Sequence, residues 1–326
     1  MNVRYCLSIL LMFAGAGARA QGSRSVFDFL NLSSSSHANA LGGRNISLVE
    51  NDASLVFQNP ALLSSVDDNT VNFNFLSYMQ GAKMGSAAFV KTVGTRGTWG
   101  VGTQFVGYGS MPETTSAGQI LGDTKALDMA FSGMYSYNLN DFWVGAVSAK
   151  VIYSKYGPYS SVGLATDLSI NYFDEKKDFT MSLVAANLGG QVKAFADDHE
   201  RLPFNLQWGF TKGMAHAPLR FSVTLTDLTH WSKKYYYNAE KEPSFGRILT
   251  NHLNIGVDIV PTDRFYVAVG YNFRRAYELK AAGSSRFAGF TCGAGLNVKK
   301  FQLGLAYAKY HVSSPCFSVS LGYSIH

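Results

Sequence analysis

The sequence predicts an all-β chain: a transmembrane antiparallel β-barrel of about 14 strands, entered through an N-terminal plug or hatch segment. Three observations lead there. Residue types alternate with period two from Val71 to the end of the chain. Only 15% of the 326 residues are charged, against about 25% in an ordinary soluble domain. The connections between alternating segments are by turns short and long. Past the N-terminus no run of roughly 18 apolar residues occurs, so strands and not helices must do any crossing.

Taken in order, residues 1–20, "MNVRYCLSILLMFAGAGARA", read as a secretory signal peptide. Arg4 lies in a short charged start, Cys6 to Ala14 form the apolar core, and Ala18-Arg19-Ala20 is a small-residue cleavage pattern. Loss of Arg4 and Arg19 takes the formal charge from +6 to +4 (6 − 2). The remaining basic residues are scattered among predicted turns, which gives no support to a nucleic-acid partner. Cys6 is lost as well, and Cys292 and Cys316 are too few for a disulfide scaffold. Alternation places Cys292 on the apolar side of its strand, where a small buried hydrophobe is expected.

Residues 21–68 do not alternate. "SVFDFLNLSSSSHANALGG" suits a short helix or turn stopped by Gly42-Gly43. In "SLVFQNPALL", Asn59 suits a helix N-cap, with Pro60 at the first helical position and Ala61 following. Side chains fill a barrel of eight strands, whereas one of fourteen needs a plug or leaves a channel, and this segment is the available plug.

Residues 69–326 carry the barrel. In "FSVSLGYSIH", Phe317, Val319, Leu321, Tyr323 and Ile325 share one face, while Ser318, Ser320, Gly322 and Ser324 share the other. Similar segments begin near Val71, Met84, Trp99, Ala126, Phe142, Val162, Phe179, Phe204, Leu219, Leu253, Phe265, Phe287, Phe301 and Phe317. Each approaches the ~10 residues that a tilted strand needs to span a bilayer. Asp128, Lys150, Asp167, Gln207 and Asp258 fall on the polar, inward phase.

Short connections ("NLND", "DEKK", "PTD", "VKK") follow even-numbered strands, and mostly long ones follow odd-numbered strands. The long ones are "GSMPETTSAGQILGDTK", "GGQVKAFADDHER", His230 to Thr250 and "RRAYELKAAGSS". A soluble sandwich has no reason to sort its loops in this way, whereas outer-membrane barrels put long loops outside the cell. Aromatics near strand ends, around Tyr108, from Tyr153 to Tyr159 and in "KKYYYN", suit interfacial girdles. The loop from His230 to Thr250 also offers Trp231, Lys233, Lys234, Tyr235, Tyr236 and Tyr237 as a candidate partner-binding surface, since Tyr, Trp and Arg carry most interface energy.

"ANALGGRNISLVENDASLVFQNPALL" resembles the opening of the outer-membrane barrels related to long-chain fatty-acid transporters, whose hatch carries an Asn-Pro-Ala motif, matched here by Asn59, Pro60 and Ala61. With "GTWGVGTQFVGYG", "YSSVGLATDLSINY", "LPFNLQWGFTK" and "HAPLRFSVTLTDLTHW" the chain is similar to the PorV/PorQ-like family of the type IX secretion system. The resemblance implies an attachment complex with a PorZ-like surface protein, a PorU-like sortase and a PorV-like barrel, which processes cargo and joins it to anionic lipopolysaccharide. The alternative is a transporter of long-chain fatty acids or other hydrophobic compounds. The ending "GYSIH" departs from the terminal Phe or Trp usual in such barrels.

No GxSxG, HExxH, CxxC or Walker-type run occurs, so neither an enzyme nor a cofactor is indicated. "DDHE" at Asp197 to Glu200 reads as a solvated loop beside Arg201.

Overall fold

The computed structural model describes residues 25–78, 81–114, 120–196, 198–232, 243–262, 264–281, 287–309 and 315–325. The predicted signal peptide and Lys233 to Tyr237 lie outside the described residues. The strands are Thr70–Ser77 (β1), Lys83–Val93 (β2), Gly97–Thr114 (β3), Ile120–Asn138 (β4), Trp143–Tyr156 (β5), Tyr159–Asp174 (β6) and Phe179–Lys193 (β7). They continue as Asn205–Gly213 (β8), Leu219–Leu225 (β9), Leu253–Thr262 (β10), Phe265–Asn272 (β11), Phe290–Val298 (β12), Phe301–Ala308 (β13) and Cys316–Ser324 (β14). Each pairs antiparallel with its sequence neighbours, and β1 pairs with β14 from Thr70↔Ser324 to Ser77↔Phe317, closing the barrel.

The wall has two chemically distinct faces because successive side chains alternate. Phe73 and Phe75 on β1, Phe131 and Tyr135 on β4, Leu164 and Leu168 on β6, and Leu303 and Leu305 on β13 point outward and are exposed. Asn72 and Asn74, Ser132 and Ser136, Asp167 and Ser169, and Gly304 and Ala306 on the same strands point inward and are buried. An apolar band running round the whole molecule far exceeds the few hundred Å² tolerated on a soluble monomer, and hydrocarbon is the solvent that matches it. No helix among the described residues is long and apolar enough to cross a membrane.

The strands begin within three residues of their predicted starts, except β4, which begins at Ile120 and not Ala126. Here the predicted long loop from Gly109 to Lys125 is corrected: most of it pairs, Ser110↔Lys125 to Thr114↔Ile120, and prolongs the β3–β4 hairpin. Its Gly, Ser and Thr content reads as loop, but cross-strand partners supply the hydrogen bonds that override that tendency. Two other predicted long loops hold helices, Phe245–Asn251 (α2) after β9 and Phe273–Ala281 (α3) after β11. Ser244 caps α2 by accepting from Arg247 N at 3.4 Å.

Two further corrections concern side-chain direction. Tyr108 does not join an outer girdle: it shares the inward phase of Gln104 and Val106, and its hydroxyl donates to Asp128 Oδ2 at 2.6 Å. Cys292 lies on the apolar side of β12, in phase with Phe290, Ala294 and Leu296, but that side faces outward, so the thiol is half-buried and not in a core.

Candidate functional site: the N-terminal segment and its sockets in the wall

Residues 25–66 fold into short pieces: a 3-10 turn Asp28–Asn31, an α-helix Ser36–Ala40 (α1), and 3-10 turns Leu55–Phe57 and Pro60–Ser65. Ser35 caps α1, accepting from Ala38 N at 3.2 Å. Gly42 and Gly43 end it at φ of 97° and 91°, a conformation that suits only glycine without strain. Asn59 caps Pro60–Ser65 through Ala61 N at 2.9 Å, and its amide donates to Ile46 O at 2.6 Å. Asn-Pro-Ala therefore ties two stretches of the segment together. Ala61 N also reaches Ser169 Oγ on β6 at 3.1 Å, so the motif is fixed to the wall as well.

The segment bonds to inward-facing residues around the barrel. Gln104 of β3 donates to Ser34 Oγ (3.0 Å), Ser47 meets Thr211 of β8 (2.8 Å), Gly42 N donates to Thr291 Oγ1 of β12 (2.9 Å), and Ser36 N donates to Ser320 Oγ of β14 (3.0 Å). Thr291 Oγ1 in turn donates to Ala40 O at 2.6 Å. Nearly every residue from Ser33 to Leu63 is buried, Leu41, Ile46, Leu48, Leu55, Leu62 and Leu63 among them.

Glycines on the inward phase receive this relief. A Cβ on Gly102 would lie 2.6 Å from Phe57 Cζ, on Gly163 2.6 Å from Phe27 Cε2, on Gly256 2.6 Å from Leu41 Cδ2, and on Gly270 2.3 Å from Gly42 N. These positions need glycine because another chain occupies the space where a side chain would go. Outward Gly133 and Gly190 have nothing within 4 Å.

A charged network joins segment and wall. His37 Nδ1 lies 2.8 Å from Glu50 Oε2 and His37 Nε2 2.7 Å from Asp258 Oδ1. Arg220 Nε donates to Asp258 Oδ2 at 3.1 Å, and Arg220 Nη2 reaches Glu50 Oε1. The Tyr266 ring stacks on His37 at 3.6 Å. Burial disfavours the imidazolium, but the carboxylates of Glu50 and Asp258 outweigh it and raise His37 to about 9. Burial likewise opposes ionisation of Glu50, and His37 with Arg220 outweighs it, lowering Glu50 to about 2. Two cations and two anions thus neutralise one another at a site where a lone charge would be costly.

Of the predicted inward residues, Asp128, Lys150, Asp167, Gln207 and Asp258 are all buried on the inward face. Lys150 pairs with Asp167 at 2.7 Å and donates to Asn187 Oδ1 at 3.0 Å; Asp128 collects Tyr108, Tyr156 and Ser154. Asp128, Lys150 and Asp167 thus find their partners within the wall, Asp258 is shared between Arg220 and His37 of the segment, and the buried amide of Gln207 has no hydrogen-bond partner among the described residues. The sequence reading missed His37, Glu50, Arg220 and Tyr266. Arg220 and Tyr266 do sit on the inward phase of their strands, and that was the available signal. Trp231 is half-exposed, packs on His252 at 4.3 Å, and donates to Leu228 O at 2.6 Å; Lys233, Lys234, Tyr235, Tyr236 and Tyr237 lie outside the described residues. A cavity of about 320 Å³ opens at the short-turn end, with Val49, Ser65, Arg96, Asn140, Asp141 and Asn171 in its lining. Among the described residues no group of three or more His, Cys, Asp or Glu is placed to hold a metal ion.

Comparison with known proteins follows the same lines. No family model and no curated protein matches the chain. Among solved structures, a Pseudomonas aeruginosa FadL homologue superposes with TM-score 0.54 at 12% identity over 90% of this chain and 98% of that one. The Pseudomonas putida toluene transporter TodX gives 0.55 at 11% over 92% and 98%. The fold is that of a FadL-like barrel. The CymD monoaromatic hydrocarbon channel adds a third instance, 0.55 at 10% over 92% and 99%. At such identity the likeness carries the FadL-like architecture and nothing finer.

Proposed function

We propose that the chain is an integral outer-membrane barrel whose N-terminal segment, residues 21–68, is a hatch in the lumen, and that it anchors a surface partner without catalysing a reaction. The observation that supports this reading is the occupied interior: Phe27, Leu41 and Phe57 of the segment fill glycine sockets of the wall and a neutral ion network joins the two, while the cavity at the short-turn end is lined by polar residues together with Leu62, Phe142, Val144 and Phe173. The long-loop end then faces outward from the cell, with Trp231 at the base of the proposed docking loop that continues through Lys233, Lys234, Tyr235, Tyr236 and Tyr237. The sequence resemblance supplies the partners: a PorZ-like surface protein, within an attachment complex that includes a PorU-like sortase, a PorV-like barrel and anionic lipopolysaccharide.

A second reading is passage of a small hydrophobic compound. The structural comparisons speak for it more directly than for the first, since TodX and CymD are by name a toluene transporter and a hydrocarbon channel. No comparison supports the attachment role. An apolar cluster of Phe27, Phe29, Leu30, Val106, Ile152 and Leu202 between segment and wall is where such a compound would lodge. Affinity purification from detergent-solubilised outer membrane separates the two. Stoichiometric recovery of a soluble surface protein supports the anchor; a bound apolar molecule with no partner supports the transporter and overturns the anchor.

A further inference from the structure

We propose that Lys125, Lys155 and Lys193 form a binding site on the outward face for the phosphate groups of an outer-leaflet glycolipid. The placement follows from register. Lys155 on β5 stands opposite Leu127 of β4 on one side and Ser160 of β6 on the other. Lys193 on β7 pairs with Val162 of β6, and its ammonium donates to Ser160 Oγ at 2.7 Å. Lys125 precedes Leu127 by two residues, so it shares that face, and its carbonyl accepts from Gly157 N at 3.1 Å just past the end of β5. Opposed residues in a ladder project to the same side, and diagonal neighbours stand about 7–8 Å apart. All three ammonium groups therefore gather on one stretch of the outer surface, spread over β4 to β7, and all three side chains are exposed.

What lies on either side defines the ligand. Toward the middle of the wall the same face continues as Leu127, Phe131, Val151, Tyr153, Val162 and Leu164, an apolar strip suited to acyl chains. The acidic residue of this face on β4 is Asp123, two residues beyond Lys125 on the loop side, where it does not separate the lysines from the strip. Three like charges at the rim of an apolar band match a headgroup with more than one phosphate above several acyl chains, since lysine acts as a point charge for phosphate. The choice of glycolipid over phospholipid rests on the proposed orientation, which puts this rim in the outer leaflet. Other outward lysines, Lys83 and Lys91 on β2 and Lys212 on β8, are set apart from this group, and Lys212 Nζ donates to Lys177 O.

The test is native mass spectrometry of the full chain in detergent with added bisphosphorylated lipid A, dephosphorylated lipid A or phosphatidylglycerol. Each variant is first shown folded by its unboiled gel mobility. Retention of lipid A is expected to fall about a hundredfold in K125Q/K155Q/K193Q, taking each lysine near a phosphate as worth about fivefold, and to hold in K83Q/K91Q/K212Q. Dephosphorylated lipid A should bind the unmodified chain no better than lipid A binds the first triple variant. Equal weakening in both triple variants, or phosphatidylglycerol bound as tightly and with the same lysine dependence, overturns the site. Orientation fails separately: a protease site at Thr115 that resists cleavage on intact cells overturns the outer-leaflet assignment whatever the lipid A result.

Discussion

His37 Nε2 lies 2.7 Å from Asp258 Oδ1, joining a helix of the N-terminal segment to the middle of a barrel strand 221 residues away in sequence. Each of the two also has a second charged partner, Glu50 for His37 and Arg220 for Asp258, so the four groups form one neutral ring.

Removal of one member should therefore be worse than removal of a simple pair. Asp258→Ala leaves His37 and Arg220 facing each other with Glu50 as sole counter-charge, and breaking a buried pair costs about 3–5 kcal/mol. The expected readout is release of the segment: new protease cleavage between Ser25 and Ser65 and a rise in single-channel conductance, with the barrel still heat-modifiable. Unchanged conductance and protection would show that the network does not hold the segment.

The pH dependence has a definite sign. His37, raised to about 9 from its ordinary 6.5, contributes stability that is complete below 6.5 and is lost as pH rises through about 9. Glu50, lowered to about 2 from 4.5, contributes stability complete above 4.5 and lost as pH falls through about 2. Burial raises Asp52 within the same segment, so protonation of Asp52 favours the folded state and blunts the acid-side loss. Segment protection from protease should be greatest between 4.5 and 6.5 and should decline toward pH 9, whereas His37→Gln should be flat over that alkaline range. An alkaline decline of equal size in His37→Gln would count against this origin.

Wall glycines should divide by phase. Gly270→Ala puts a methyl where Gly42 N stands 2.3 Å away, and the cost of overpacking is about 1–3 kcal/mol. Gly133→Ala, on the outward side with nothing within 4 Å, should stay within about 0.5 kcal/mol. Thermal unfolding followed by unboiled gel mobility compares the two; equal shifts would mean that the sockets do not matter.

Deletion of residues 25–65 should leave a closed barrel, because the strands satisfy one another's backbone and β1–β14 pairing does not pass through the segment. Such a barrel should run as a heat-modifiable band and conduct. Failure to fold would make the segment part of the barrel's core and not a separable insert.

Most of the wall was legible because its signal is repeated: alternation placed strand after strand, and it put Asp128, Lys150, Asp167, Gln207 and Asp258 on the inner side. The caps at Asn59 and Gly42-Gly43 were legible too, since Asn-Pro and paired glycines have local backbone meaning. Legibility ended where a residue's role depends on a partner far along the chain. Phase shows that Arg220 points inward, but not that Glu50 meets it from a segment with no periodicity. Tyr108 was misread as a girdle residue because an aromatic near a strand end has two faces to choose from, and its parity was not followed. The glycines of the wall looked like small inward residues; that each accommodates an intruding side chain or backbone needs the third dimension.

The bond from Ser36 N to Ser320 Oγ, across 284 residues, bears on how the molecule is made. β14 and α1 lie far apart in sequence, yet Ser320 of one accepts a hydrogen bond from the backbone of Ser36 in the other. The segment leads through Val66 directly into β1, the strand that β14 must find to close the ring. Segment and seam therefore meet at one place in the wall, β1 following on from the segment and β14 bonding to both. The barrel can close without the segment, but the segment's bond at Ser320 needs β14 in place, so this contact belongs among the late, non-local ones that generally limit folding.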